Sequence, residues 1–160
     1  MAMKPKFPLA SRVEMTQIVL PSDANALGTV FGGKVMQWID VAAAVAARRH
    51  ALGTVVTASM DSLQFIEPVQ LGDVVVLYGM INRAWRTSME IGVRVECEKA
   101  SDGRRLHAAS AYLTFVALDE EGRPRTVGPL QPQSDDEKRR FEKADDRRKM
   151  RLAERGTKRQ

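Results

Sequence analysis

Cysteine and histidine are scarce in this 160-residue chain, which has one cysteine and two histidines. The single cysteine, Cys97, excludes an intrachain disulfide and fits a reducing compartment. His50 and His107 do not have the spacing of metal ligands, so we expect no metal site. No apolar run approaches the roughly 20 residues that span a bilayer, and the N-terminal stretch lacks the apolar segment of a secretory signal. We therefore expect a cytoplasmic protein without a membrane partner.

The chain also lacks a charge surplus on the part expected to fold. Its formal net charge is +5, but residues 134–160 hold 11 Lys and Arg against 7 Asp and Glu, which leaves a net charge of +1 for residues 1–133. A nucleic-acid-binding domain would be expected to carry a basic face. We therefore expect one folded domain over residues 1–133, a highly charged basic helix or tail over 134–160, and no nucleic acid partner.

What is present is the pattern of one long helix and several strands. Residues 34–51 contain neither proline nor glycine and are rich in alanine, which predicts a helix over 33–51 that is buried on most sides. Runs rich in Val, Leu, Ile and Thr predict strands at 16–20, 54–66, 73–84, 88–99 and 106–118. We expect an α+β fold in which one curved antiparallel sheet wraps around one helix and leaves a face or edge for a partner chain.

The stretch GTVFGGKVMQWID, residues 28–40, resembles the start of a phosphate-binding loop, G-x-x-x-x-G-K-[ST]. The residue after Lys34 is Val35, which has no hydroxyl group for a magnesium ion. The sequence also shows no repeated strand–helix–strand units. A nucleotide-binding loop is therefore excluded.

The glycine pair in this stretch can serve one of two purposes. Gly32 and Gly33 open the predicted helix, where glycine lets a substrate approach the free backbone N–H groups of the first turn. Those groups and the helix dipole stabilise an anion, including the oxyanion of an acyl-transfer transition state. Alternatively, the glycines form a tight loop–helix junction that packs against a strand.

Asp40 is a carboxylate alone on an apolar helix. Such a group is costly unless it is used in chemistry or is paired, for example with a nearby arginine or a loop amide. Asp40 lies seven residues after Gly33, about 10 Å along the axis at ~1.5 Å per residue. Because reacting atoms must approach within roughly 3.5 Å, one helix cannot easily present both groups to one carbonyl. A second, antiparallel copy of the helix across a two-fold axis could.

Two further polar groups stay open to a structural explanation. Asn25 lies in SDANALG, where an asparagine is a favoured turn residue. Arg86, Thr87 and Ser88 lie at the start of a predicted strand and could form no more than a polar turn.

Several segments together resemble the hotdog-fold acyl-CoA thioesterases of the cytosolic, brain-type acyl-CoA hydrolase family. The resemblance runs through DANALGTVFGGKVMQWIDVAAAVAARRH, TASMDSLQFIEPVQLGD, RTSMEIGVRV and AYLTFVALDEEGRP, within about residues 12–133. It implies that Asn25 and Asp40 form a catalytic pair across a dimer interface. Phe31 stands where the family often has histidine. The family assembles as a trimer of dimers or as fused domains, which implies a homohexamer for a single-domain chain.

The resemblance implies hydrolysis of acyl-CoA to a free fatty acid and coenzyme A. Asp40 would act as general base on water, or as a nucleophile, and Asn25 would orient the water or the carbonyl. The N–H of Gly32 or Gly33 would stabilise the oxyanion. No cofactor is expected, because a thioester is already activated. The alternative is a non-catalytic acyl-CoA sensor or carrier, which would not need Asn25 and Asp40.

The phosphates of coenzyme A call for basic side chains at the mouth of the site. Because the body is nearly neutral, the C-terminal segment and the turn at Arg86, Thr87 and Ser88 are the natural sources. The predicted coenzyme A ligands in the C-terminal segment are Arg147 and Arg148, and in a helix Arg140 and Arg151 lie near them. A solvated surface helix with mixed charges is the alternative.

Overall fold

The structure, a computed structural model, describes residues 3–157 of the chain, so residues 158–160 of the predicted C-terminal segment lie outside it. Two short 3-10 helices, Pro8–Ser11 and Pro21–Asp23, flank the first strand. The longer elements are, in chain order, β1 (Val13–Ile18), α1 (Gly32–Ala51), β2 (Val55–Phe65), β3 (Val74–Ala84), β4 (Ser88–Glu98), β5 (Arg105–Ala117) and α2 (Asp135–Thr157). No helix of the described residues is both long and apolar enough to cross a membrane.

The five strands form a single antiparallel sheet in the order β1-β3-β4-β5-β2. The four later strands begin and end within two residues of the predicted bounds. The first strand was predicted at 16–20 but runs over Val13–Ile18, because its pairing with β3 begins at Val13 and the chain turns into the 3-10 helix Pro21–Asp23 soon after Ile18. The sequence pattern therefore predicted the strands of the sheet. In the observed order β1 and β2 form its two edges.

Helix α1 packs on the inner face of the sheet through a strip of small residues. The helical residues Ala42, Ala43, Ala46 and Ala47 are all fully buried, which allows the helix axis to come close to the strands. The approach is tightest at Gly79 of β3, where an added Cβ atom would lie 3.4 Å from a backbone oxygen of α1. The core around this contact contains large side chains of β3, β4 and β5: Leu77, Ile81, Met89, Ile91, Leu113 and Phe115.

One face of α1 is left uncovered, which corrects the prediction of a helix buried on most sides. Met36, Val41 and Val45 are 42%, 48% and 37% exposed, respectively. The edge strand β2 lies next to α1 and exposes Val56 and Phe65. A single chain thus has an open helix face beside an open sheet edge, as expected for a surface that receives a partner chain.

Helix α2 covers part of the outer face of the sheet, over β3 and β4. Its Arg147 donates to both carboxylate oxygens of Glu90, at 3.0 and 2.6 Å. Glu90 is fully buried and also accepts a hydrogen bond from Asn82. The alternating pattern of β4 placed Glu90 on a polar face, but α2 buries that position and supplies the cation that neutralises it.

Candidate active site

The start of α1 presents unpaired backbone donors. The N–H groups of Lys34 and Val35 both donate to the carbonyl oxygen of Phe31, at 2.9 and 3.2 Å. Within residues 3–157 no acceptor is found for the N–H groups of Gly32 and Gly33, and the helix has no side-chain cap. These two donors point out of the first turn, where the helix dipole adds positive potential. The site can hold an anion or a developing oxyanion.

Packing within the chain does not require glycine at either position. A Cβ atom on Gly33 would meet no atom within 4 Å. A Cβ atom on Gly32 would meet only the ring of Phe65, at ordinary contact distances of 3.5 and 3.7 Å. The interpretation of the pair as a tight loop–helix junction therefore has no support within this chain. Because glycine has no side chain, the space in front of the free N–H groups of Gly32 and Gly33 stays open.

Lys34 is held by a loop carboxylate. Its ammonium group lies 3.1 Å from Asp23, which is buried and also accepts a hydrogen bond from the N–H of Leu20. The Leu20 hydrogen bond and the charge of Lys34 lower the pKa of Asp23. The ion pair thus links the loop at Asp23 to the start of α1. Because the ammonium group of Lys34 is already paired, this contact agrees with the exclusion of a phosphate-binding loop.

Asp40 is oriented by a hydroxyl group. Thr57 of β2 donates its Oγ1–H to Oδ1 of Asp40 at 2.7 Å, so the predicted arginine or amide partner is replaced by a threonine. In the pairing of β2 with β5 a register shift follows this residue, between Thr57 and Ser59. Thr57 is opposite Phe115, whose side chain is in the core, and therefore faces α1. Oδ2 of Asp40 remains for a water molecule or a substrate atom.

Asn25 has the turn role that its sequence context suggested. Its Oδ1 accepts from the N–H groups of Leu27 and Thr29, at 2.9 and 3.2 Å, and its Nδ2 donates to Oγ1 of Thr29 at 2.9 Å. The second Nδ2–H is not used by these contacts. Among the described residues no hydrogen bond joins Asn25 to Asp40, so a single chain does not bring the predicted pair together.

The turn between β3 and β4 and helix α2 form a second polar cluster. Arg148 donates to Oγ of Ser88 at 3.2 Å, and its guanidinium lies 4.5 Å from the centre of the Trp85 ring. In the described part of the chain no carboxylate lies within ion-pair distance of Arg148. Burial and the charge of the nearby Arg151 lower its pKa, and the charge of Asp145 opposes that shift. Arg86 is exposed beside this cluster. Asp145 also lies at this cluster, where it accepts a hydrogen bond from Trp85 and pairs with Arg83. Arg148 and Arg86 are therefore the arginines of the cluster without a direct ion pair among the described residues.

The other arginines of α2 near this cluster are engaged within the chain. Arg147 pairs with the buried Glu90, Arg151 with Asp61, and Arg140 with Asp136. Burial alone would lower the pKa of Arg147, but the hydrogen bond and charge of Glu90 raise it. The role of Arg147 in phosphate binding stays a prediction, and its position argues for a structural one.

A helix that presents open N–H donors and a carboxylate, packed on one antiparallel sheet, is typical of hotdog proteins that act on acyl thioesters. The family model of the thioesterase superfamily matches residues 27–103. An uncharacterised acyl-CoA thioester hydrolase of Bacillus subtilis, YkhA, is 41% identical over 132 residues, which cover 82% of this chain and 77% of that protein. The chain therefore belongs to the thioesterase superfamily, and the predicted resemblance and hotdog fold are confirmed.

Other relatives are longer than this chain. Acyl-coenzyme A thioesterase 11 and cytosolic acyl coenzyme A thioester hydrolase of Mus musculus are 37% and 38% identical to it. The chain spans 24% and 35% of their lengths, respectively.

Solved structures agree over nearly the whole chain. An acyl-CoA hydrolase of Staphylococcus aureus, solved with butyryl coenzyme A, coenzyme A and coenzyme A disulfide, has a TM-score of 0.90 and 37% identity. The alignment covers 98% of this chain and 95% of that one. A hexameric acyl-CoA thioesterase has a TM-score of 0.91 and 41% identity over 95% of this chain and 97% of that one. The Staphylococcus aureus enzyme was also solved with alanine in place of an aspartate, an asparagine or a threonine.

Proposed function

We propose that this protein hydrolyses acyl-CoA to a free fatty acid and coenzyme A. The observation that carries the proposal is the geometry of α1, which begins with two unpaired N–H donors facing open space and holds an oriented carboxylate two turns later. Donors for an oxyanion and a base for water are the two requirements of thioester hydrolysis without a cofactor. The names of the relatives, acyl-CoA thioesterases and hydrolases, support the same reaction.

Asp40 is the proposed general base. It would take a proton from a water molecule that attacks the thioester carbonyl, and the N–H of Gly32 or Gly33 would stabilise the oxyanion that forms. When the C–S bond breaks, the coenzyme A thiolate would leave and take the proton back from Asp40. In the nucleophilic alternative the carboxylate itself attacks the carbonyl, and water then cleaves the resulting anhydride. After a single turnover in ¹⁸O-water, label in Asp40 would identify the anhydride route with attack of water on the Asp40 carboxyl carbon, since the general-base route puts the label only in the fatty acid.

Thr57 and Asn25 are the proposed companions of this base. In the Staphylococcus aureus enzyme the replaced asparagine and aspartate are 15 positions apart, and the aspartate and threonine are 17 apart. Asn25, Asp40 and Thr57 have the same two intervals. Thr57 would hold Asp40 in its reactive orientation, and the free Nδ2–H of Asn25 would orient the water or the carbonyl. This matching spacing also supports including Thr57, which the sequence alone did not suggest.

We place the two halves of each site on different chains. Gly33 and Asp40 are about 10 Å apart along the helix axis at ~1.5 Å per residue, which is too far for one carbonyl. The open edge of β2 and the exposed apolar face of α1 are suited to a two-fold partner. Such a dimer would bring the Asn25 loop and the glycine pair of one chain to Asp40 of the other. The hexameric relative supports a trimer of these dimers.

Arg148, Arg86, Thr87 and Ser88 form the proposed phosphate site. Arg148 is suited to this role because no carboxylate forms an ion pair with it among the described residues and Ser88 already fixes its direction. A phosphate would regain the ionic partner that Arg148 lacks.

The experiment that tests the reaction is a thiol-release assay over a panel of acyl-CoA chain lengths. We expect saturable turnover by the wild-type protein and a loss of roughly 100-fold or more in kcat for Asp40→Asn. Asp146→Asn, which changes an exposed aspartate of α2, is the matched control and should leave turnover unchanged. Tight acyl-CoA binding without thiol release would instead indicate a sensor or carrier.

A further inference from the structure

A cavity of about 380 Å³ lies directly beside the start of α1. The segment from Phe65 at the end of β2 to Val69 forms one wall, and Thr29, Val30 and Gly32 form the other. A carbonyl oxygen bound by the N–H of Gly32 would therefore have this cavity as its neighbour. The cavity is therefore in position to receive one of the two groups attached to a thioester carbonyl, the acyl chain or the pantetheine.

The lining favours the acyl chain. Most of the lining side chains are apolar, namely Val30, Phe65, Ile66, Pro68 and Val69. The pantetheine arm carries two amide groups that need hydrogen-bond partners, and the cavity offers few. The carboxyl side chain of Glu67 also lines the cavity, and within residues 3–157 no cation forms an ion pair with it. That charge would repel the phosphates of coenzyme A, whereas Arg148, which forms no ion pair among the described residues, lies at the turn between β3 and β4.

Phe65 is the lining side chain that lies against Gly32 at the start of α1. Its ring lies 3.5 Å from the position that a Cβ atom on Gly32 would take, and the side chain is 52% exposed. It is the last residue of an edge strand, so its ring is not locked into the core. A bulky ring at this point limits how far an acyl chain can extend past the helix start.

We propose that this cavity receives the acyl chain and that Phe65 determines which chain lengths the enzyme prefers. The inference rests on the proposed hydrolysis. It goes further by assigning the acyl chain to this cavity and the coenzyme A phosphates to the cluster around Arg148.

The test is the chain-length profile of kcat/KM for Phe65→Ala and Phe65→Trp, measured with saturated acyl-CoAs. Phe65→Ala should move the preferred length to longer chains, with roughly a fourfold gain for each additional methylene group that it buries. Phe65→Trp should move the preferred length to shorter chains. Ile18→Ala, which removes an exposed apolar side chain on the opposite edge strand, is the control and should keep the wild-type profile.

The outcomes separate the two proposals. An active wild-type protein whose profile is unmoved in both Phe65 variants would overturn the inference and leave the hydrolase proposal intact. A change in KM of equal size for all chain lengths would also overturn it, because it would place the pantetheine against Phe65. A wild-type protein that releases no thiol from any acyl-CoA would instead defeat the proposed reaction itself. Thermal melting and the oligomeric state of both variants, each compared with the wild-type protein, exclude misfolding and loss of the dimer as the cause.

Discussion

At the scale of single residues, the hydrogen bond between Thr57 and Asp40 is the contact on which the proposed base depends. A carboxylate with one oxygen fixed by a hydroxyl keeps the other oxygen aimed at the same place. Thr57→Val removes this hydrogen bond with little change in shape. We expect kcat to fall by about tenfold, from the loss of one charge-assisted hydrogen bond, with little change in KM.

Thr57→Ser supplies the control for that change, because it keeps the hydroxyl and loses only a methyl group. It should restore most of the wild-type kcat. Equal losses in the valine and serine variants would show that the methyl group, and hence packing, is what matters at this position. A thiol-release assay with one saturating acyl-CoA is sufficient for the comparison.

The glycine pair leads to a prediction in which stability and activity change in opposite directions. Gly33 has helical geometry and open space around its Cα, so Gly33→Ala should raise the free energy of unfolding by about 0.4–1 kcal/mol. The added methyl group would stand where the thioester is proposed to approach, so kcat/KM should fall. Gly156→Ala, at the end of α2 and with equally open space, should not lower activity. Loss of activity in both variants would remove the special role of Gly33.

The sequence predicted some of these residues better than others, for a physical reason. A lone carboxylate on an apolar helix and a glycine pair at a helix start are unusual in themselves, so the sequence singles out Asp40, Gly32 and Gly33 as candidates. Thr57 is not singled out, because threonine is an ordinary strand residue. Its role depends on its pairing with Phe115 of β5, which places its side chain on the face towards α1, and the sequence alone does not give that register.

At the scale of elements, α2 is held on the sheet by a buried ion pair. Glu90 is fully buried, and Arg147 is its only cationic partner among the described residues. Arg147→Met should destabilise the fold by about 3–5 kcal/mol, because it leaves a buried carboxylate unpaired. The double variant Arg147→Met/Glu90→Gln should recover a large part of that loss. Arg139→Ala, which removes an exposed pair with Asp136, should cost less than about 1 kcal/mol. Urea unfolding measures all three.

Replacement of the neighbouring Arg148 should affect substrate binding rather than stability. Because it has no carboxylate partner in the described part of the chain, Arg148→Ala should change the free energy of unfolding much less than Arg147→Met. Its KM for acyl-CoA should rise and become less dependent on salt, while KM for a short thioester without the nucleotide should stay the same. A rise in both KM values would place Arg148 away from the phosphates. Point variants are preferable to removing α2, which would uncover Glu90 and Trp85.

The C-terminal end of α1 should make the fold sensitive to mild acid. His50 is buried and donates its Nε2–H to the carbonyl oxygen of Gly128 at 2.8 Å. Burial lowers the pKa of His50 below its ordinary 6.5, and the charge of Lys6 lowers it further. The unfolded chain therefore binds this proton at a higher pH than the folded chain. Stability should be full above pH 6.5 and fall as the pH decreases below it, by at most about 1.4 kcal/mol per pH unit.

His50→Gln keeps a donor for Gly128 but cannot take up the proton. Its free energy of unfolding should change less than that of the wild-type protein between pH 7 and 5, when both are measured in urea. The lowered pKa values of Asp23 and Asp73 act in a different window, near and below pH 3.8. An equally steep decline in the glutamine variant would assign the acid sensitivity to other groups.

At the scale of the whole molecule, the order of elements and the hydrophobic periodicity were sufficient to predict one antiparallel sheet around one helix. The position of α2 was not predictable in the same way. Its sequence is typical of a solvated helix, since it contains few large apolar residues, such as Phe141 and Met150. It docks through arginines on buried or half-buried acids and aromatic rings of the sheet, such as Glu90 and Trp85. Such contacts between arginines and distant acids or rings follow no periodic pattern, so the sequence does not predict where α2 docks.

The assembly of the site from two chains can be tested with two inactive proteins. Asn25→Asp keeps the acceptor oxygens that hold the turn at Leu27 and Thr29 but removes the Nδ2 donor, and Asp40→Asn removes the base. Each protein alone should be nearly inactive. In a mixed dimer one site carries both changes and the other carries neither, so a randomly re-formed equal mixture should recover about a quarter of wild-type activity.

The matched control replaces the Asp40→Asn protein in that mixture with the double variant Asn25→Asp/Asp40→Asn. Every site in that control carries the Asn25 change, so no activity should return. Co-purification of differently tagged subunits shows that the chains have exchanged. If exchange is complete and the first mixture still stays inactive, Asn25 and Asp40 act within one chain. The helix geometry argues against that outcome, because the carbonyl bound at Gly33 would then lie about 10 Å from its base.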